Sequence, residues 1–220
     1  MRLSVVPDRP ADTPVAAARP PEGTRTSRER LVGAATELFL AGSFHKVGIA
    51  EICAKAQINK GTFYHFFPSK LDLLIEVIDD YVRDVAARYE EIARSTETPE
   101  RKLRSLFLVP QRRNEAWKAV HGSAPGCFLG SIILELSASE PLVREKARWA
   151  VEQWKAAMRP VIAAFLAAEG IRHIDEADAA EALIGIVQGA NVIAKLRNDP
   201  SVMSAFGVMA AGMLRAMGRD

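Results

Sequence analysis

Apolar side chains recur three and four residues apart along almost the whole chain beyond about residue 25, a spacing that predicts helices. Leu31, Ala34, Ala35, Leu38 and Phe39 form the first stripe; Thr26-x-x-Glu29 opens it as a capping box and Gly42 stops it. Ile49, Ile52, Cys53 and Ala56 repeat the pattern on a short second helix. Asn59 is placed to cap a short third helix ending near Phe67. Pro68 and a second capping box, Ser69-x-x-Asp72, then open a longer helix through about Ala93. Further helices are expected over Pro99–Leu108, Asn114–His121, Cys127–Ser139, Pro141–Glu169, Asp175–Asn198 and Pro200–Met217, with a kink or break at Pro160. No strand-like alternation and no internal repeat interrupts the series, so the pattern predicts an all-α protein.

Residues 1–24 depart from that pattern. They hold five of the twelve prolines among alanines and balanced charges, the composition of a disordered tail. Charge divides the rest: residues 25–70 sum to +4 and residues 71–220 to −2. This predicts a small basic unit over 25–80 and a larger helical unit over 81–220, of which only the first suits a polyanion.

Composition narrows the function classes. The weakly polar stretch Ala182–Ala194 contains Gln188 and Asn191 and is too short to span a bilayer, so no membrane partner is expected. Arg2 and Arg9 are not followed by an apolar run of signal-peptide length. Cys53 and Cys127 are too few for a disulfide framework, which fits a reducing cytoplasm. His45, His65, His121 and His173 lack metal-ligand spacing, so neither a metal nor a cofactor is expected. No GxSxG, HExxH, P-loop or paired carboxylate constellation is present, and no catalytic residue is assigned.

The first three helices, with a tight connection before the third, match a helix-turn-helix between about residues 48 and 67, whose last helix enters the major groove. On that helix Phe63 and Phe67 should face the core with Phe66 beside them, leaving Lys60, Thr62, Tyr64 and His65 on or near the other side. Lys60 can reach a guanine edge or a phosphate, and Thr62 a base or a thymine methyl. Gly61 permits close backbone approach. Tyr64 and His65 offer donors to phosphate oxygens, as does Lys70 at the start of the next helix, where free amides also favour an anion.

The run Ile52-Cys53-Ala54-Lys55-Ala56-Gln57-Ile58-Asn59-Lys60-Gly61-Thr62-Phe63-Tyr64-His65-Phe66-Phe67-Pro68-Ser69-Lys70 resembles the DNA-binding signature of TetR-family repressors, and the likeness spans roughly residues 26–80. The resemblance implies DNA contacts from Lys60, Thr62, Tyr64, His65 and Lys70; Gly48, Asn59 and Gly61 complete the candidate set. It further implies a homodimer on a palindromic operator and a larger C-terminal domain that dimerises and binds a small-molecule inducer. Three positions depart from the family pattern. Val47-Gly48 stands where a hydroxyl residue usually opens the second helix, Gln57 where the turn usually has glycine, and Cys53 where alanine is common. These departures leave a second class open, a helical interaction module that has lost specific DNA binding.

In the larger unit, Gly185, Gly189 and Ala190 on one helix and Ala205, Ala210, Ala211 and Gly212 on the last would let helices approach closely. With Leu183, Ile186, Val187, Ile193, Val208 and Met213 they suit either a four-helix dimer interface or an intrachain contact. Trp117, His121, Phe128, Trp149, Trp154 and Phe165 are candidates to line a ligand pocket, or core. Pro125-Gly126-Cys127-Phe128 places a thiol at a helix N-terminus, where the dipole favours an anion, and Lys195 could stabilise it. Such Gly-Cys turns are similar to those of a TetR branch that includes electrophile and redox sensors. Cys127 is thus a candidate sensor, or a thiol that packs the turn.

Overall fold

A computed structural model describes residues 26–218; the expected tail over 1–24 lies outside them. Among the described residues there are nine helices and no strand. They are α1 (Ser27–Ala41), α2 (Ile49–Ala56), α3 (Lys60–Phe66), α4 (Lys70–Arg94), α5 (Pro99–His121), α6 (Phe128–Leu136), α7 (Pro141–Ala168), α8 (Glu176–Arg197) and α9 (Val202–Met217).

The capping signals act locally. Thr26 Oγ1 accepts from the Glu29 amide at 3.2 Å while the Glu29 carboxylate accepts from the Thr26 amide at 2.8 Å, a complete capping box. At α4 the Ser69 hydroxyl accepts from the Asp72 amide but donates to Asp72 Oδ2 at 2.6 Å. The two side chains close on each other, giving half of the expected box. Thr98 and Asp175 cap α5 and α8 in the same manner.

Both interior prolines are overridden. The two helices expected across Pro99–His121 are one, and α7 runs unbroken through Pro160. An interior proline costs about 3 kcal/mol. Burying two or three large apolar side chains, at roughly 1.5–3 kcal/mol each, outweighs that. Leu103, Leu106 and Phe107 precede Pro110 on a buried stripe that Asn114 continues, and Asn114 Nδ2 donates to the Pro110 carbonyl at 2.9 Å. Met158, Val161, Ile162 and Phe165 flank Pro160, fully buried. Two ends also shift: α6 starts at Phe128 with Cys127 as its cap and stops at Leu136, and α9 starts only at Val202.

The long α4 links the halves. It packs on α1 at one side and on α5 and α7 at the other, while α7 also packs on α5, α6 and α8, and α9 lies on α5 and α8. One core runs from Leu31 and Phe39 through Leu73 and Val77 to Met158, Leu183 and Leu214. Where α9 crosses α5, a Cβ at Gly207 would sit 3.1 Å from the Arg104 carbonyl oxygen and 3.3 Å from Phe107, so only glycine lets the two close. The 22-residue α8 is long and apolar enough to cross a membrane by length and composition, contrary to the reading of Ala182–Ala194. The uncharged run is shorter than the helix, which extends beyond it at both ends. Its inner face instead packs on α7 and α9 and carries the buried Asn191.

Candidate functional site

The turn between α2 and α3 is built around Gln57, which takes the left-handed conformation (φ 54°, ψ 46°) that glycine normally supplies. Arg30 of α1 braces it by donating to the carbonyls of Ala56 and Gln57. Asn59 Oδ1 accepts from the Thr62 amide at 2.8 Å and so starts α3 as expected. Gly48 opens α2 without a side-chain cap. Cys53 is buried against this unit, and burial pushes its thiol pKa up, as suits a core thiol.

Phe63 and Phe67 are buried with ring centroids 6.0 Å apart and fix α3 to the core. Lys60, Gly61, Tyr64 and His65 are exposed and Thr62 half-buried, so the outward set is displayed together along α3. Phe66, expected in the core, is exposed and stacks edge-on with His65 at 5.1 Å. Phe67, the C-cap of α3 with an extended backbone, turns into the core and fills the position beside Phe63. Most cations nearby are committed: Arg28 to Glu76, Lys55 to Glu37, Arg30 to the turn. Among the described residues Lys60 has no such partner.

Lys70 is placed differently from the others. Its ammonium donates to the Phe44 and Val47 carbonyls, both at 2.8 Å, and lies 4.2 Å from the centre of the Phe44 ring. Desolvation lowers its pKa, with Glu135 acting the other way. That same Glu135, on α6, accepts from the amides of Phe44 at 3.1 Å and His45 at 3.0 Å. The α1–α2 loop is therefore gripped from α4 and from α6 together.

Comparison with known proteins agrees with this geometry. The bacterial regulatory protein, tetR family, N-terminal model matches residues 31–77, and the tetracyclin repressor-like C-terminal domain model matches residues 101–208. The chain belongs to the TetR family. It is a transcriptional regulator, a non-enzyme class, with an N-terminal helix-turn-helix domain and a C-terminal helical domain. The chain is 27% identical over 183 residues to an HTH-type transcriptional regulator in the lacX 3' region of Lactococcus lactis subsp. lactis, covering 82% of this chain and 89% of that one. It is 28% identical over 131 residues to the HTH-type transcriptional repressor DhaR of Mycobacterium sp. strain GP1, covering 58% and 61%. Among solved structures, a regulatory protein TetR from Rhodobacter sphaeroides superposes with a TM-score of 0.73 at 26% identity, covering 84% of this chain and 97% of that one.

In this TetR-family chain the regulatory half holds a small cavity, partly open to solvent, between α4, α5, α7 and α8. Of the aromatic candidates, Trp154 lines it, as does Cys127. The others do not. Trp117 stacks on His121 at 3.8 Å near the end of α5, Trp149 is partly exposed beneath the Lys146 ammonium, and Phe128 and Phe165 are packed core. Phe128 and Phe165 mark buried helix faces, where most aromatics fill space, whereas Trp117, His121 and Trp149 stand nearer the surface. The walls that the sequence did not reveal include Tyr81, Tyr89, Arg113 and Gln188. Tyr81, Val85 and Tyr89 succeed one another four apart on α4, a stripe that could have pointed to the two tyrosines.

Cys127 caps α6: its Sγ accepts from the Gly130 amide at 3.4 Å and lies 3.8 Å from the Tyr81 hydroxyl. Lys195 lies against the preceding Gly126, where a Cβ would meet the lysine Cδ at 3.4 Å, an ordinary van der Waals contact. Gly126 takes φ +81° and donates to Asn114 Oδ1 at 2.9 Å. The loop before Cys127 is held further by Asn198, which accepts from the Ala124 amide at 2.8 Å and donates to the Gly122 carbonyl at 3.1 Å.

The small residues of α8 and α9 divide by face. Ala190, Ala210, Ala211, Leu183 and Val187 are buried within the chain. Gly185, Gly189 and Gly212 face open space, beside exposed Val192, Leu196, Met209, Met213 and Met217.

Proposed function

We propose that this protein is a homodimeric, cytoplasmic transcriptional repressor, with residues 25–80 as its DNA-binding domain and residues 81–220 as its regulatory domain. It grips a palindromic operator with both copies of α3 and lets go when a small molecule or an electrophile reaches the cavity beside Cys127. One observation carries the DNA-binding part: Lys60, Gly61, Thr62, Tyr64 and His65 are displayed on α3 while Phe63 and Phe67 anchor it. Gly48 and Asn59 approach the backbone at the helix starts. Lys70 gives two of its three donors to Phe44 and Val47 and keeps one for a phosphate. The repressor reading is supported by the naming of DhaR. Dimerisation is supported by the open glycines and exposed apolar side chains of α8 and α9, and by the few base pairs that one recognition helix can read.

The sensing part is supported by Cys127 at the α6 cap with Lys195 against its neighbour. Selection of bound DNA from a random pool is the test, and a two-fold palindrome is the expected product. No shift of duplex DNA even at low salt would instead favour a helical interaction module. Release by electrophile is tested separately: Cys127→Ser protein that still lets go normally on treatment would remove the sensor role.

A further inference from the structure

Donors predominate among the polar groups on the cavity wall. Trp154 is 4% exposed, and its buried Nε1–H meets no acceptor. Leaving such a donor unsatisfied is unfavourable, so a cavity bordered by one implies an occupant that accepts. Tyr81 and Tyr89 also line the wall, and burial raises both pKa values far enough to keep the phenols protonated as donors. The nearest polar partner of the Tyr81 hydroxyl is Cys127 Sγ, a weak one at 3.8 Å.

Among the described residues Arg113 is the one charged side chain on the wall, and no carboxylate stands there. Its guanidinium lies 4.3 Å from the centre of the Tyr81 ring and pairs with the exposed Asp84. Two carboxamides also stand on the wall: Gln188, which brings an acceptor oxygen and two N–H donors, and Asn191, whose oxygen is engaged. Asn191 Oδ1 accepts from Asn114 Nδ2 at 3.1 Å, and Asn114 Oδ1 accepts from Gly126. Val85, Val109, Pro110, Ile184 and Val187 make up the apolar remainder.

We propose that this cavity takes a small apolar carboxylate, its oxygens set against the Trp154 N–H and the Arg113 guanidinium and its hydrocarbon against Val85, Val109, Ile184 and Val187. This names the ligand class of the cavity to which the release step is assigned above. A cation is repelled by Arg113, and a ligand without an acceptor leaves the indole N–H as it was.

Calorimetric titration of the DNA-free protein with butyrate, butyramide and butylamine tests the assignment. Butyrate is expected to bind saturably, butyramide more weakly and butylamine not at all. Trp154→Phe removes the donor while keeping an aromatic ring. It should weaken butyrate roughly tenfold, the loss of one hydrogen bond to a charged group, yet raise the thermal midpoint of the empty protein. Arg113→Gln should erase the advantage of butyrate over butyramide, and it serves alone if Trp154→Phe does not fold. Trp149→Phe, outside the cavity, should change nothing. Equal binding of butylamine, undiminished butyrate affinity in both cavity variants, or no saturable butyrate binding at millimolar concentration would overturn the proposal. Binding without operator release would uphold the ligand class and remove only the release step.

Discussion

Gln57 holds a left-handed backbone for which a side chain is unfavourable by about 1–2 kcal/mol. Gln57→Gly should therefore stabilise the protein by up to about 1 kcal/mol, less whatever the greater freedom of an unfolded glycine takes back. Chemical denaturation measures it; Gln57→Val, β-branched at positive φ, should move the midpoint the other way. That strain was legible in the sequence, because a long side chain stands where the turn needs glycine. The inward tie of Lys70 was not, since its acceptors Phe44 and Val47 come from a loop more than twenty residues earlier. On α3, Lys60 lacks an intramolecular ion-pair partner among the described residues, so its removal leaves no charge unpaired among them. Lys60→Ala should leave the circular dichroism spectrum unchanged and weaken operator binding by roughly 1–3 kcal/mol in a gel-shift titration.

Between elements the contacts are long-range. Glu135 joins α6 to the amides of Phe44 and His45, and its removal exposes two donors at once. Glu135→Ala should destabilise by roughly 1–3 kcal/mol, and amide exchange at Phe44 and His45 should accelerate ahead of that in α7. Nothing in the sequence marked this carboxylate, which sits among apolar residues as an ordinary solvated charge would. Caps and stripes were legible because both partners lie within four residues. The continuity of α5 through Pro110 was not, because burial against α7 and α9 decides it. A second tie joins α5 to α9 and the end of α7: Arg215 donates to Glu100 at 2.6 Å and to Glu169 at 2.7 Å. The hydrogen bond from Arg215 chiefly holds the Glu100 pKa below the ordinary carboxylate range. A depressed folded-state pKa contributes stability above the unfolded value and loses it as pH falls through the folded one. Glu100→Gln should lower stability at neutral pH and flatten its fall in acid, as followed by thermal melts across that range.

For the whole molecule, the uncovered face of α8 and α9 matters most. Spacing alone allowed its small residues to serve a dimer or an intrachain contact, and the fold divides them: Ala190 and Ala211 turn inward, Gly185 and Gly212 outward. A two-fold axis through the outward stripe would bring each Val192 close to its own copy or to an apolar neighbour, because an isologous interface pairs one patch with itself. Val192 is 61% exposed in the single chain, so Val192→Asp should not disturb its fold. Two like charges buried across the axis should nonetheless shift the protein toward monomer in sedimentation velocity. Operator affinity should fall at least about tenfold with it, since each half-site then binds without the effective concentration supplied by the other. Leu142→Asp, at an exposed position on α7, should leave both unchanged. A Val192→Asp protein that sediments and binds operator like the wild type would place the symmetry axis elsewhere on the surface.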